Sequence, residues 1–283
     1  MSEHIIIVIP ARWGSTRFPG KPLADIAGKS MIERVHARCA ASARASRVIV
    51  ATDDERIRSE VARFGGEAVM TPADLPSGTE RMAWVARETE ADIYVNVQGD
   101  EPLLPPATID AAVDALIRNP EADIATACCP LTGDADIANP NIVKLVTDRA
   151  GFALYFSRAP IPHVRDSAGI ETPSGGTAED ASGSGDTADG DGRSADGDGN
   201  AFARTGVYKK HIGIYVFRRN ALLRFAALDP TPLERLEKLE QLRALEHGMR
   251  IVVAEVETDS QAVDTPGDIE KVERLIHDDK MEI

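Results

Sequence analysis

The chain has 283 residues, 43% of them hydrophobic, and its 46 Asp and Glu outnumber 32 Lys and Arg for a formal net charge of −14. That apolar share can build a full core, as one large domain or two small ones. The acidic balance leaves no electrostatic footprint for nucleic acid or an anionic membrane, and no apolar run approaches the roughly 20 residues of a membrane span.

In chain order, Ile5-Ile-Ile-Val-Ile9 is apolar without alternation, which suits a strand covered on both faces of a parallel sheet. A Gly- and Pro-rich loop follows over 10–22, then a helix over 31–43 and a second buried strand over 47–52. The next helix, 54–64, stops at Gly65-Gly66, a C-cap signal. Strand 92–97, helix 106–118 and strand 123–128 continue the alternation. Such β–α alternation predicts an α/β fold with a doubly wound, mostly parallel sheet, and ligands beyond the carboxyl ends of its strands. The second half is less regular. Strands are expected over 142–146 and 209–217, one or two helices over 233–247 closed by Gly248, a strand over 250–256 and a last helix over 266–278.

Between them the composition changes. Residues 166–203 hold 9 Gly, 9 acids and a single base, Arg193, for a net charge of −8 that leaves −6 on the rest of the chain. Such a stretch cannot bury enough apolar surface to offset ordering entropy, so it is expected to be a mobile surface loop inserted within a single domain spanning 1–283. Asp196-Gly-Asp198-Gly-Asn200 resembles the start of an EF-hand loop, but Ala201 and Val207 stand where that loop needs Gly and Glu. A solvated acidic loop is the better reading. Cys39, Cys128 and Cys129 form no CxxC pair, so neither a disulfide framework nor zinc is expected. Met1-Ser2-Glu3-His4 lacks the basic region of a signal peptide, and a soluble cytoplasmic protein is expected.

The chemistry concentrates in three places. The loop Pro10-Ala-Arg12-Trp-Gly14-Ser15-Thr16-Arg17-Phe-Pro19-Gly20-Lys21-Pro22 offers three cations, two hydroxyls and two glycines within ten positions. The glycines admit a ligand close to the backbone and the cations neutralise phosphate. It is not a Walker A loop, since five residues separate Gly14 from Gly20 and Pro22 replaces the Ser or Thr. Next, Val95-Asn-Val97-Gln98-Gly99-Asp100-Glu101-Pro102 puts a carboxylate just past a buried strand, where an α/β enzyme places a metal ligand. Third, Asp264 precedes the last helix, where it could equally be an N-cap. If Asp100 and Asp264 converge, two carboxylates plus substrate phosphates make a good Mg²⁺ site.

The run Ile9-Pro-Ala-Arg-Trp-Gly-Ser-Thr-Arg-Phe-Pro-Gly-Lys-Pro-Leu23 closely resembles the signature loop of the 3-deoxy-manno-octulosonate (Kdo) cytidylyltransferase family. Seven further stretches match in order: Ser77-Gly-Thr-Glu-Arg81, Val95–Pro102, Asn139-Pro-Asn141 with Lys144, Ala153-Leu-Tyr-Phe-Ser-Arg-Ala159, His211-Ile-Gly-Ile-Tyr215, Leu239-Glu-Gln-Leu-Arg243 and Val263-Asp-Thr-Pro266. The 166–203 segment departs from the pattern, being longer than the family's loop there.

The resemblance implies a Rossmann-like nucleotidyltransferase sheet with a smaller β-rich part for sugar binding and dimerisation. It implies transfer of CMP from CTP to the anomeric hydroxyl of Kdo, with loss of pyrophosphate, for lipopolysaccharide biosynthesis. Arg12, Lys21, Asp100 and Asp264 would be catalytic, the two aspartates holding Mg²⁺. Arg12, Ser15, Lys21, Ser77, Arg81 and Gln98 would bind the nucleotide. Gln98, Arg158, His211, Tyr215, Glu240 and Gln241 would bind the sugar, Arg158 by a bidentate pair with its carboxylate. A homodimer is implied. Read without the resemblance, Arg81 is a solvated helix residue, His211 and Tyr215 are exposed strand residues, and Glu240 and Gln241 lie on a solvated helix face. Two alternatives remain: a cytidylyltransferase for another acid sugar such as a sialic acid, or a non-catalytic nucleotide-binding protein.

Overall fold

An unbroken apolar run needs cover on both sides, and the first strand, β1 (Ile5–Ala11), has it. In a computed structural model, which describes residues 3–14, 18–131, 133–165 and 207–278, Ile5, Ile7 and Ile9 point into one layer of core, Ile6 and Val8 into another. The first layer is supplied by α1 (Met31–Ala40), α2 (Glu55–Arg63), α4 (Pro106–Arg118) and α9 (Pro266–Asp278). The second comes from α3 (Gly78–Glu88), α6 (Arg219–Phe225) and α8 (Gln241–Glu246). A doubly wound sheet is the result.

β1 lies between β4 (Arg47–Thr52) and β6 (Ile93–Val97), parallel to both, with Ile9 opposite Val50 and Val8 opposite Asn96. β5 (Glu67–Met70) extends the sheet beyond β4. On the other side, β10 (Lys209–Arg218) runs antiparallel between β6 and β7 (Ile124–Pro130), and β11 (Ile251–Glu255) closes the edge parallel to β7. A short hairpin branches from β10: β8 (Lys144–Thr147) pairs with it, and β9 (Ala153–Ser157) pairs only with β8. These nine strands form one mixed, mostly parallel sheet. Strand order reverses at β1, so the loops leaving β1 and β6 share the end where such folds bind ligands.

The expected elements are present with ends moved by a few residues, and the 233–247 stretch is two helices. α7 (Pro232–Glu237) opens on a Thr231–Glu234 capping box and stops at Lys238, which has φ 55°. Two small pieces complete the elements: the hairpin β2 (Asp25–Ile26) with β3 (Lys29–Ser30), and α5 (Asp134–Ala138). The Ser77–Arg81 stretch is the start of α3, with the Ser77 hydroxyl capping Glu80 N–H at 3.2 Å. The three cysteines are buried and free. No helix among the described residues is long and apolar enough to cross a membrane. The acidic 166–203 segment, with its EF-hand-like start, and Ser15 lie outside the described residues.

Candidate active site at the switch point

Two glycines let the site loops close on each other. Gly20 has φ 73° and sits under the Trp13 ring, where a Cβ would lie 2.9 Å from Trp13 Cη2. A Cβ on Gly99 would lie 2.9 Å from the Pro10 carbonyl oxygen, so only glycine lets the β6 loop pass this close to the end of β1. Arg56 stacks on the Trp13 ring, 3.4 Å from its centroid, and its guanidinium also bonds Asp54, the N-cap of α2.

The consequence is a charged corner. Lys21 Nζ donates to Asp100 Oδ2 at 2.7 Å and lies 3.7 Å from Asp264 Oδ1. Asp264 is not the N-cap: Asp268 accepts from the backbone N–H of Asp264 and Thr265, which leaves the Asp264 carboxylate facing Lys21. A backbone bond from Val263 N–H to Asp100 O, 2.9 Å, joins the two acidic segments. Three positions far apart in sequence thus meet in a cleft of about 210 Å³, which Arg12 and Gln98 also line. A second cleft of about 140 Å³ adjoins it, sharing Pro10, Ala11, Arg12 and Gln98 and adding Ser77, Gly78 and Arg81.

Arg81 corrects the solvated-helix reading. It is 3% exposed, its guanidinium 3.0 Å from Asp53 Oδ2 and hydrogen-bonded to the Thr71 hydroxyl. It therefore braces the floor of the second cleft from below. Ser77 is engaged as well: beyond capping α3 it donates to Glu240 Oε1 at 2.8 Å, while Thr79 donates to Glu240 Oε2 at 2.7 Å. Gln98 Nε2 donates to Asn96 Oδ1 at 3.2 Å.

On β10, His211 and Tyr215 are not exposed strand residues. Around Gly213 the pairing with β7 shifts register, and the two rings lie on one face, 5.5 Å apart. His211 is 8% exposed, and burial pushes its pKa down to about 3, so the ring is neutral. Thr126 Oγ1 donates to Ile214 O at 2.7 Å and lies 2.8 Å from His211 Nε2. With its one proton committed, the hydroxyl accepts from His211 Nε2–H, which leaves Nδ1 as the acceptor nitrogen. Tyr215 O–H donates to Gln241 Oε1 at 3.0 Å, and burial raises its pKa. Gln241 is buried, and Tyr215, Glu240 and Gln241 share one small recess, so neither residue of that pair sits on a solvated helix face.

Arg158 is bonded to its own chain. Its guanidinium donates to three main-chain carbonyls: Glu237 O (2.7 Å), Pro140 O (2.9 Å) and Lys238 O (3.5 Å). These bonds join the β9 end to the loops at Pro140 and Lys238. Glu237, which sequence reasoning missed, accepts from Ser157 Oγ (2.6 Å) and Arg158 N–H (2.9 Å) and ties β9 to α7. Lys144 is buried nearby, donating to the carbonyls of Asn139, Ile142 and Arg158. Asp53 and Thr71, the partners of Arg81, were also missed: each stands beside a strand end with no spacing signal. Glu101, next to Asp100, is half-buried against Ser260, and desolvation pushes its carboxyl up to about 7.

The donor set at the corner suits a hard divalent cation. Among the described residues no three His, Cys, Asp or Glu side chains cluster, so a protein-only cage is absent there. Two carboxylates with room for phosphate oxygens and water are what Mg²⁺ uses.

A doubly wound sheet with a cationic first loop and paired carboxylates at the switch point defines a nucleotidyltransferase. The cytidylyltransferase family model matches residues 6–251. A 3-deoxy-manno-octulosonate cytidylyltransferase from Syntrophotalea carbinolica is 49% identical over 95% of this chain and 97% of its own length. One from Geobacter sulfurreducens is 47% identical over 95% and 98%. The solved structure of a CMP:2-keto-3-deoxy-manno-octonic acid synthetase complexed with CTP superposes with a TM-score of 0.81 at 38% identity, covering 98% of this chain and 99% of that one. The chain belongs to the 3-deoxy-manno-octulosonate cytidylyltransferase family.

Proposed function

We infer that the chain transfers CMP from CTP to the anomeric hydroxyl of Kdo, releasing pyrophosphate. The meeting of Lys21, Asp100 and Asp264 beside an arginine-lined cleft carries the reading. In the reaction the anomeric oxygen bonds to the α-phosphorus, the bond from that phosphorus to the pyrophosphate oxygen breaks, and the hydroxyl loses its proton. Such an in-line displacement needs positioning and charge neutralisation more than a covalent nucleophile.

Lys21 and Arg12 supply positive charge to the triphosphate and to the leaving pyrophosphate. Asp100 and Asp264 would hold Mg²⁺, which would supply positive charge against the phosphates and Lewis-acid activation at the reacting centre. Lys21 pairs with Asp100 and stands near Asp264, so the two carboxylates are held at one corner of the cleft. Ser77 and Gln98 line the nucleotide's path, and Arg81 fixes it from below through Asp53; the role of Ser15 rests on the family resemblance alone. The sugar lies against β10, where the neutral His211, Tyr215, Glu240 and Gln241 present acceptors and donors to its hydroxyls, Gln98 stands between sugar and nucleotide, and Arg158 acts mainly by holding the surrounding loops.

The nine-stranded sheet takes in strands from both ends of the chain and serves as the core of a single domain over 1–283, with 166–203 inserted between β9 and β10. The protein works in the cytoplasm, where CTP is available. It works as a homodimer: β9 is a free edge of the described sheet and carries Leu154, 61% exposed, while Leu236 on the tethered α7 is 79% exposed.

The test is pyrophosphate release with CTP, Mg²⁺ and Kdo, omitting the sugar, substituting a sialic acid, or replacing CTP with UTP. Release is expected only with CTP and Kdo together. Release with a sialic acid in place of Kdo overturns the sugar assignment; no release from folded, CTP-binding protein overturns the catalytic one.

A further inference from the structure

Asp264 stands in an unpromising place for a metal ligand. The ten residues from Val256 to Thr265 contain no helix or strand, and the Asp264 side chain is 52% exposed. Ordering a side chain on such a connection costs entropy unless the backbone is held. Three ties hold it. Downstream, Asp268 accepts from Asp264 N–H (3.2 Å), Thr265 N–H (2.9 Å) and Thr265 Oγ1 (2.8 Å), fixing the entry to α9. In the middle, Val263 N–H donates to Asp100 O. Upstream, the Ser260 hydroxyl donates to Glu101 Oε2.

The upstream tie is the unusual one. Glu101 follows Asp100 directly, so its carboxylate reaches from one acidic segment to the other. Ser260 is 5% exposed and is also held on its far side, where Lys210 of β10 donates to Asp259 Oδ2 at 2.8 Å and Ser260 N–H donates to Asp259 Oδ1 at 2.7 Å. With the Val263–Asp100 bond, the Glu101–Ser260 bond makes a two-point clamp, and two points fix both the distance and the angle between the segments. We propose that Glu101 and Ser260 are positioning residues, a latch that sets Asp264 against Asp100 and thereby sets how tightly this corner takes a divalent cation together with CTP. The inference rests on the reading of Asp100 and Asp264 as the metal carboxylates. Outer partners that orient ligands commonly matter by about 10-fold or more in metal affinity.

The test uses the full chain, with Mn²⁺ as the probe, followed by electron paramagnetic resonance in the presence of CTP. Ser260→Ala removes the hydroxyl and no charge. It is expected to weaken Mn²⁺ binding about 10-fold and to raise the Mg²⁺ needed for half-maximal activity by a similar factor. The kcat at saturating Mg²⁺ is expected to stay within about twofold, because the ligands themselves remain. Glu101→Gln keeps an oxygen that accepts from Ser260 and is expected to bind Mn²⁺ nearly as the parent does. Ser260→Thr and Ser260→Val differ only in the hydroxyl at nearly equal volume, and decide the question should Ser260→Ala fail to fold: the Thr variant is expected to bind the more tightly. Unchanged Mn²⁺ affinity in Ser260→Ala, or equal affinities in the Thr and Val variants, overturns the latch. Asp100→Asn and Asp264→Asn are the controls. If they too bind Mn²⁺ like the parent, it is the assignment of the metal carboxylates that fails.

Discussion

A neutral imidazole buried in the sheet ties stability to pH. Folded His211 takes a proton only near pH 3, whereas an unfolded histidine takes one near 6.5. Between those values the unfolded state binds more protons, so the stability His211 contributes is complete above pH 6.5 and is lost as pH falls toward 3. The loss approaches about 1.4 kcal/mol per pH unit. Urea unfolding of the parent and of His211→Gln at pH 7.5 and 5.0 isolates this share from that of other groups. The parent is expected to lose about 2 kcal/mol more than the variant over that interval, and parallel losses would contradict the neutral-ring picture. The carboxylates carry a different expectation. Asp100→Asn or Asp264→Asn is expected to lower kcat for pyrophosphate release by about 100-fold or more, with far-ultraviolet circular dichroism unchanged. Activity within a few-fold of the parent would remove that residue from the catalytic corner.

At the scale of elements, the long strands and helices were legible because their patterns are strong. The apolar run of β1 announced a strand covered on both faces, and α4 and α9 begin at the prolines that sequence reading used. The start of α3 was only weakly marked, since Ser77-Gly-Thr-Glu suits a turn as well as a cap. That ambiguity mattered, because placing Arg81 on α3 buries it against the ends of β4 and β5. Its partners Asp53 and Thr71 follow those two strands directly, yet only the parallel pairing of β4 with β5 brings them together. Likewise His211 and Tyr215 looked exposed because they alternate with Ile212 and Ile214; the alternation holds, but β10 is covered on both faces, and their side packs against the second core layer. The buried pair predicts a cost. Arg81→Met leaves Asp53 uncompensated and is expected to destabilise the fold by about 3 kcal/mol in denaturant unfolding. Adding Asp53→Asn should recover part of that loss, and additive losses would show that the pair does not act as one unit.

For the whole molecule, the acidic excess is unevenly placed. Over half of the net −14 sits in residues 166–203, so the remainder is close to an ordinary globular charge. What sequence could not show at this scale is convergence: Lys21, Asp100 and Asp264 are spread over most of the chain, and only the sheet order makes them neighbours. The proposed homodimer is tested at the exposed edge. Leu154→Glu with Leu236→Glu is expected to convert a dimer to a monomer in sedimentation velocity. A parent that sediments as a monomer, or a double variant that stays dimeric, would rule out this face as the interface.

The antiparallel strand has a consequence for how the chain is made. β6 and β7 follow one another closely in sequence but never touch; β10, arriving some 110 residues after β6, fills the gap between them. At about 5–20 residues per second, a ribosome leaves that slot open for roughly 5–20 s. Until then two apolar strand edges in the middle of the future sheet are unpaired. Nascent chains halted before residue 209 should therefore aggregate or bind chaperones, while those extended past residue 256 should not. The acidic, glycine-rich stretch is synthesised within that same interval, so the growing chain carries its highest density of negative charge while its sheet is still incomplete.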